Sequence, residues 1–365
     1  MGSAARLWHT RPVLSSRVRV LGLSIACVLC ASNLASAQLV ESVLDSEEAK
    51  EEGVPFRGST FGFSQTLSSD SLLKSEYQSY NPTYSWGFSL NLKWHFSRVL
   101  SMRLNQELEV ELTDSDSTTD NRMPLLSDTI GTLDVKVLDQ KVSSDFEWTL
   151  HSSLGLAAPT SLASQAATMV LGTRLGVAGG LTWPKIMSGL GLSLTAGYNH
   201  RFMTSNVPQA EVEYPCSAGS ASMGMCSQMG TSSNIRNAIT LAAETELRLN
   251  DAWGISLGYT HIWRRGADLS GYAGMSTDGT PIELPDGSTT HWRNTSTIEA
   301  GVGYLIVPWL SLALVTTNTF KDRGIDGELR LPFNMVDTYF GLNLGVRLDE
   351  VYLAASGKAG DEDDE

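Results

Sequence analysis

Residues 84–112 read YSWGFSLNLKWHFSRVLSMRLNQELEVEL. From Tyr84 the apolar residues take every second position: Trp86, Phe88, Leu90, Leu92, Trp94 and Phe96. Ser85, Gly87, Ser89, Asn91, Lys93 and His95 lie between them. After a tight connection at Ser97-Arg98 the alternation restarts. Leu100, Met102, Leu104, Gln106, Leu108, Val110 and Leu112 share one parity, and Ser101, Arg103, Asn105, Glu107, Glu109 and Glu111 the other. A period of two means strand, because successive side chains of a strand point to opposite faces; a helix would scatter the same leucines around its circumference.

The two runs are about 13 residues each. Soluble strands usually span about 5–6 residues, whereas a tilted transmembrane strand needs about 9–11. Aromatic rings bracket aliphatics in the first run, the order a bilayer imposes: amphipathic rings at the headgroup levels and plain hydrocarbon between them. A long hairpin in a soluble sandwich is the competing reading, and the rest of the chain weighs against it.

The same alternation marks eleven strands. They centre on Phe63, Leu90, Leu104, Leu150, Leu175, Leu194, Leu241, Leu257, Ile298, Leu312 and Leu342, the last running from Thr338 to Leu348. Short turns at Ser97-Arg98, Pro184–Ser188, Asn250–Ala252 and Val307-Pro308 contrast with long polar connections over about 204–237, 264–291 and 321–336. In an outer-membrane barrel, short periplasmic turns and long extracellular loops must alternate. Eleven strands break that parity between Leu112 and Phe146. A further strand through Leu133, Val135 and Val137, with Asp134, Lys136 and Leu138 on its other face, restores it. The expected fold is therefore all-β: a closed antiparallel transmembrane barrel of about 12 strands, a closure that also removes sheet edges. In the loop 264–291, Asp278-Gly279 and Asp286-Gly287 are hairpin-turn dipeptides and point to a small hairpin there.

Composition agrees. The chain has 365 residues, 18% charged, and a net charge of −14, below the usual charged fraction and of the wrong sign for nucleic acid. Mean hydropathy is −0.08, as expected when only one face of each strand is apolar. Residues 1–37 read as a cleaved secretory signal, with Arg6, Arg11, Arg17 and Arg19 before the apolar Val20–Ala31 and a small-residue site at Ala35-Ser36-Ala37. Residues 38–55 form an acidic periplasmic lead-in whose partner the sequence does not name, either a solvated tail or a plug. Residues 56–353 form the barrel, and 354–365 an acidic C-terminal tail. The expected location is the bacterial outer membrane, with outer-membrane lipid and lipopolysaccharide as surroundings.

The charges of the strands fall on the face opposite the leucines. The candidate lumen-lining residues are Lys93, Arg103, Glu107, Glu109, Glu111, Glu147, Arg174, Glu244, Glu246, Arg248, Glu299 and Arg347. Glycines at 87, 155, 172, 176, 191, 197, 301, 303, 341 and 345 share that face. Two readings stand: a hydrated lumen passing small polar solutes or ions, and a closed lumen laced by salt bridges in a structural or surface-exposed barrel. A hydrolase is a third. His200 and His261 share parity with the leucines and read as part of an aromatic girdle. His151 could pair with Glu147, but no His–Ser spacing or Ser-centred elbow marks a catalytic centre, and the expected reading is not an enzyme. Asp114, Asp116 and Asp120 lack the Gly and distal Glu of a helix-loop-helix Ca²⁺ site, so no metal or cofactor is expected.

The pattern resembles Gram-negative outer-membrane β-barrels as a class over about residues 56–353. Twelve-stranded members of that class include nucleoside channels, oligosaccharide porins, a phospholipase and autotransporter translocators, and none of their functional residues carries over. The chain departs from many of them in ending on Gly-Asp-Glu-Asp-Asp-Glu rather than an aromatic residue, which would make its assembly signal internal or the tail a late addition. After signal cleavage only Cys216 and Cys226 remain, in a loop expected outside the cell, where thiols oxidise. They should form a disulfide that orders the loop by roughly 2–3 kcal/mol, since no His or third Cys of that loop completes a zinc site. Mass spectrometry of non-reduced peptides should find them linked; two free thiols in protein from intact cells would refute the bond.

Overall fold

The computed structural model describes residues 54–72, 82–113, 122–143, 146–207, 233–268, 274–275, 281–282, 292–320 and 338–356. The signal segment, nearly all of the acidic lead-in, the aspartates at 114–120, Cys216, Cys226 and the tail beyond Ser356 lie outside the described residues.

Twelve long strands form the fold: β1 (Thr60–Ser68), β2 (Tyr84–His95), β3 (Leu100–Glu111), β4 (Thr129–Ser143), β5 (Phe146–Ala158), β6 (Met169–Trp183), β7 (Leu190–Met203), β8 (Ile235–Arg248), β9 (Trp253–Gly266), β10 (Trp292–Val307), β11 (Leu310–Phe320) and β12 (Thr338–Arg347). Each pairs antiparallel with its neighbour in sequence, and β1 pairs with β12 from Thr60↔Arg347 to Ser68↔Tyr339. The sheet is thereby a closed ring without an edge, and the strand through Leu133, Val135 and Val137 is present as β4. Connections at 96–99, 144–145, 184–189, 249–252 and 308–309 are short; those at 69–83, 112–128, 159–168, 204–234, 267–291 and 321–337 are longer, strictly alternating with them. Inside 267–291 a two-stranded ladder pairs Gly274 with Ile282 and Met275 with Pro281, around the Asp278-Gly279 turn signal.

The structure departs from the period-two reading at bulges in several strands and at the end of the last strand. In β4 the register passes from Lys136↔His151 to Leu138↔Leu150. Val137 is an extra residue, and such a bulge switches the face of everything after it. Leu138 therefore lies on the outer face opposite Leu150, not on the inner face that strict alternation assigns. The last strand ends at Arg347 rather than Leu348, and a helix α3 (Leu348–Ser356) follows; α1 (Ser69–Leu72) and α2 (Leu162–Ala166) are shorter and sit in the long connections.

Helix α3 ties the two ends of the barrel together at the short-turn rim. Asp349, 1% exposed, accepts the Gly58 N–H at 3.0 Å and lies 3.8 Å from Arg347. The Leu348 N–H donates to the Ser59 carbonyl, and Phe56 meets Tyr352 edge to face at 5.4 Å. Gly58 has φ +76°, a conformation that favours glycine. Removing a buried charged acceptor strands its donors. Asp349→Ala should therefore lower barrel stability by about 1–3 kcal/mol, with Asp349→Asn milder. Urea unfolding midpoints in detergent decide it; equal midpoints for Asp349→Ala and wild type would refute the latch.

Candidate functional site: the charged lumen

Burial in this protein is inverted. Among the described residues, the most buried side chains are Ser59, Ser296, Asn318 and Asp349, with Ser85, Asn91, Glu111, Glu246, Thr297 and Thr317 close behind. The large aliphatics are exposed, Leu257 by 56% and Leu314 by 63%. A soluble protein does not present an apolar belt of this extent to water. Aromatic rings rim the belt: Trp94, Phe146, Trp183, Trp253 and Tyr304 at the short-turn end, Trp86, Tyr198, Phe202, Tyr259 and Trp292 towards the other. The chain is an outer-membrane-type β-barrel.

His200 and His261 belong to the girdle. His200 Nδ1 lies 2.8 Å from Asn237 Oδ1, and its ring meets Phe202 at 4.6 Å. His261 meets Trp263 at 4.2 Å, and its Nδ1 lies 2.8 Å from Ser296 Oγ. This cross-strand His–Ser pair escapes a search by sequence spacing, because register alone brings the two together (His261↔Ser296). Ser296 is only 1% exposed and also contacts the Tyr259 hydroxyl, so an acyl substrate has no approach to its oxygen. The pair ties two strands at the rim.

Pairing register puts all twelve candidate residues on the face opposite the exposed aliphatics. Several are matched locally. Arg103 binds Asp134 through two bonds of 2.7 and 2.9 Å. Glu147 meets Lys141 at 2.9 Å, a partner other than the His151 considered from sequence. Arg248 reaches Glu246 at 3.8 Å, and Arg347 reaches Glu350 at 3.2 Å. Ser193 donates to Glu244 at 3.3 Å.

Placing these residues around the ring reveals an ordering by sign. Nearer the long loops, Glu107, Glu109 and Glu111 stand on β3. Arg174, Arg201, Arg236 and Arg264 stand on β6 to β9, and β9 is the strand diametrically opposite β3. Nearer the short turns the order reverses in part: Lys93 on β2, Arg103 on β3 and Lys136 on β4 stand across from Glu244 and Glu246 on β8, opposite β2, although Asp134, Asp139 and Arg248 pair with Arg103, Lys136 and Glu246 on those same walls. Arg236 and Arg264 lie outside the clear alternation of the sequence, so register had to place them.

Water access differs around the wall. Thr195 at mid-height on β7 and Arg174 on β6 point inward and are nonetheless exposed. Val315, Thr317 and Thr319 on β11, with Thr297 and Glu299 on β10, are buried.

No protein-family model matches the chain, and no characterised protein matches it in sequence. Its structure is similar to the NanC porin (10% identity, TM-score 0.39, 80% of this chain and 100% of that one). It is also similar to an outer membrane channel from Pseudomonas putida F1 (9% identity, TM-score 0.46, 82% and 98%). A third similarity is to the translocator domain of the autotransporter NalP from Neisseria meningitidis (8% identity, TM-score 0.36, 90% and 100%).

Proposed function

We propose that the protein is a passive channel of the bacterial outer membrane for small polar solutes or ions, delivered there by its cleaved signal and oriented with the short turns in the periplasm. The observation that carries this reading is the exposure of Thr195 and Arg174 on the inner face. In a fully packed lumen those side chains would be buried. Twelve strands leave more room than the eight that side chains can fill, and less than the 16–18 of a wide porin. Solvent then runs along the β6–β8 wall, between walls of opposite charge that act on polar solutes at close range. The buried Thr297, Glu299, Thr317 and Thr319 favour a second reading, a barrel whose lumen is sealed on that side and carries nothing.

Liposome swelling separates the two. Vesicles holding the protein should swell in isotonic arabinose faster than empty vesicles; identical rates with folded protein would sink the channel. Within the channel, Glu109→Gln removes one carboxylate from the β3 ladder. It should move the reversal potential in a KCl gradient towards chloride, and an unchanged potential would show that the ladder does not set selectivity.

A further inference from the structure

We infer that Arg174, Arg201 and Arg236 form a binding station for an oxyanion, a carboxylate or phosphate group carried by a small solute, in the long-loop half of the lumen. This rests on the lumen being hydrated, as proposed above. The three arginines occupy the inner faces of β6, β7 and β8. Arg201 is paired with Gly172 and Arg174 with Asn199, which makes the two guanidinium-bearing positions diagonal neighbours on one face, about 7–8 Å apart at the backbone. On the other side of Arg174 stands Gly155. Glycines beside both arginines leave their side chains room to extend into the lumen rather than against a neighbour. Together with Asp128 and Asn199 they line a cleft of about 50 Å³, room for a small polar group.

Charge balance singles this site out. Arg103, Lys136, Lys141, Arg248 and Arg347 each have a carboxylate within 4 Å. Among the described residues, neither Arg174 nor Arg201 has one. Asp128 and Glu107 act on Arg174 only at longer range, and Arg201 adds a like charge. Asp128 is already committed: its Oδ1 accepts the Ser161 N–H at 3.1 Å and the Ser161 hydroxyl at 2.7 Å, and its Oδ2 accepts the Ser164 hydroxyl. Arg236 is anchored by an Nη2 bond of 2.6 Å to Asn206 Oδ1, while its Nε is buried without a partner. Among the described residues, two guanidinium groups without a carboxylate in contact and one unmet charged donor thus lie at one cleft. Guanidinium forks bind carboxylate and phosphate through paired, charge-assisted hydrogen bonds, and an oxyanion would answer Arg174 and Arg201 together, with the charge of Arg236 beside it. Membrane lipid faces the opposite side of these strands, which leaves a solute as the carrier.

Calorimetric titration of the full-length protein in detergent, with citrate as the carboxylate and inorganic phosphate as the other probe, tests the station without requiring conduction. Saturable binding of either probe is expected, weakening as KCl rises. The double variant Arg174→Gln/Arg201→Gln should lose roughly tenfold or more in affinity. Arg201→Lys, which keeps the charge but not the fork, should fall between, and it serves alone if the double variant does not fold. Arg293→Gln, at the exposed rim, should bind as wild type. No saturable heat from either probe, or undiminished binding by the arginine variants, would overturn the station. Because binding is read in detergent, that failure would leave the channel standing, and a protein that binds but does not conduct would overturn the channel alone.

Discussion

Leu257→Arg is expected to destabilise the folded barrel by about 2–4 kcal/mol, because an arginine on the lipid face at mid-strand has no water to solvate it. Leu257 sits mid-strand on β9, opposite Ala300 and Thr245, and is more than half exposed on the outer face. The same substitution on the inner face should be far milder. Thr195→Arg places the charge where water already reaches, and its cost should stay within about 0.5 kcal/mol, the range of ordinary surface changes. Thr195 is a cleaner control than Asn343, which also faces inward but has a buried side-chain oxygen. Reversible unfolding in lipid vesicles measures both. Equal losses for the two variants would contradict the assignment of faces on which the rest depends.

The second large effect concerns flow rather than stability. Thr195→Trp puts a broad ring into the solvent path on β7, between Ala178 and Ala242 on the adjoining strands. Both neighbours are small, so the indole can lie across the lumen without displacing them. Single-channel conductance should drop severalfold while the folded barrel keeps its resistance to heat, since conduction depends on pore radius and fold does not. An unaltered conductance would mean that ions take another route, past the β10–β11 wall where the side chains are buried.

Much of this architecture is legible in the residues. Trp86, Phe88, Leu90 and Leu92 declare a lipid-facing strand because the bilayer enforces the alternation on one face without interruption. Leu133, Val135 and Val137 are a weaker signal, and loop parity found that strand where hydropathy left a gap. The sign of each inward charge was equally readable, since parity fixes the face of Glu107 and Arg174 alike.

What the residues conceal depends on register. The bulge at Val137 shifts the face of Leu138 without altering composition. The reversal of the charged walls becomes visible only when β3 is known to stand across from β9. The same is true of the His261–Ser296 pair, whose members are far apart in sequence. Helix α3 was hidden for another reason: Leu348, Val351 and Tyr352 continue an apolar pattern that strand and helix share over so few residues. The oxyanion station is least legible of all. It follows from the absence, among the described residues, of a carboxylate in contact with Arg174 or Arg201, and such an absence leaves no mark in a sequence.

The most direct measurement is electrical. Purified protein reconstituted in a planar lipid bilayer at neutral pH should give discrete, uniform conductance steps that persist at low voltage and shrink in Thr195→Trp. A bilayer that stays silent while the inserted protein is shown to be folded, by its strand signature in circular dichroism and its shifted mobility when unheated, would contradict the hydrated lumen and leave a closed barrel in its place.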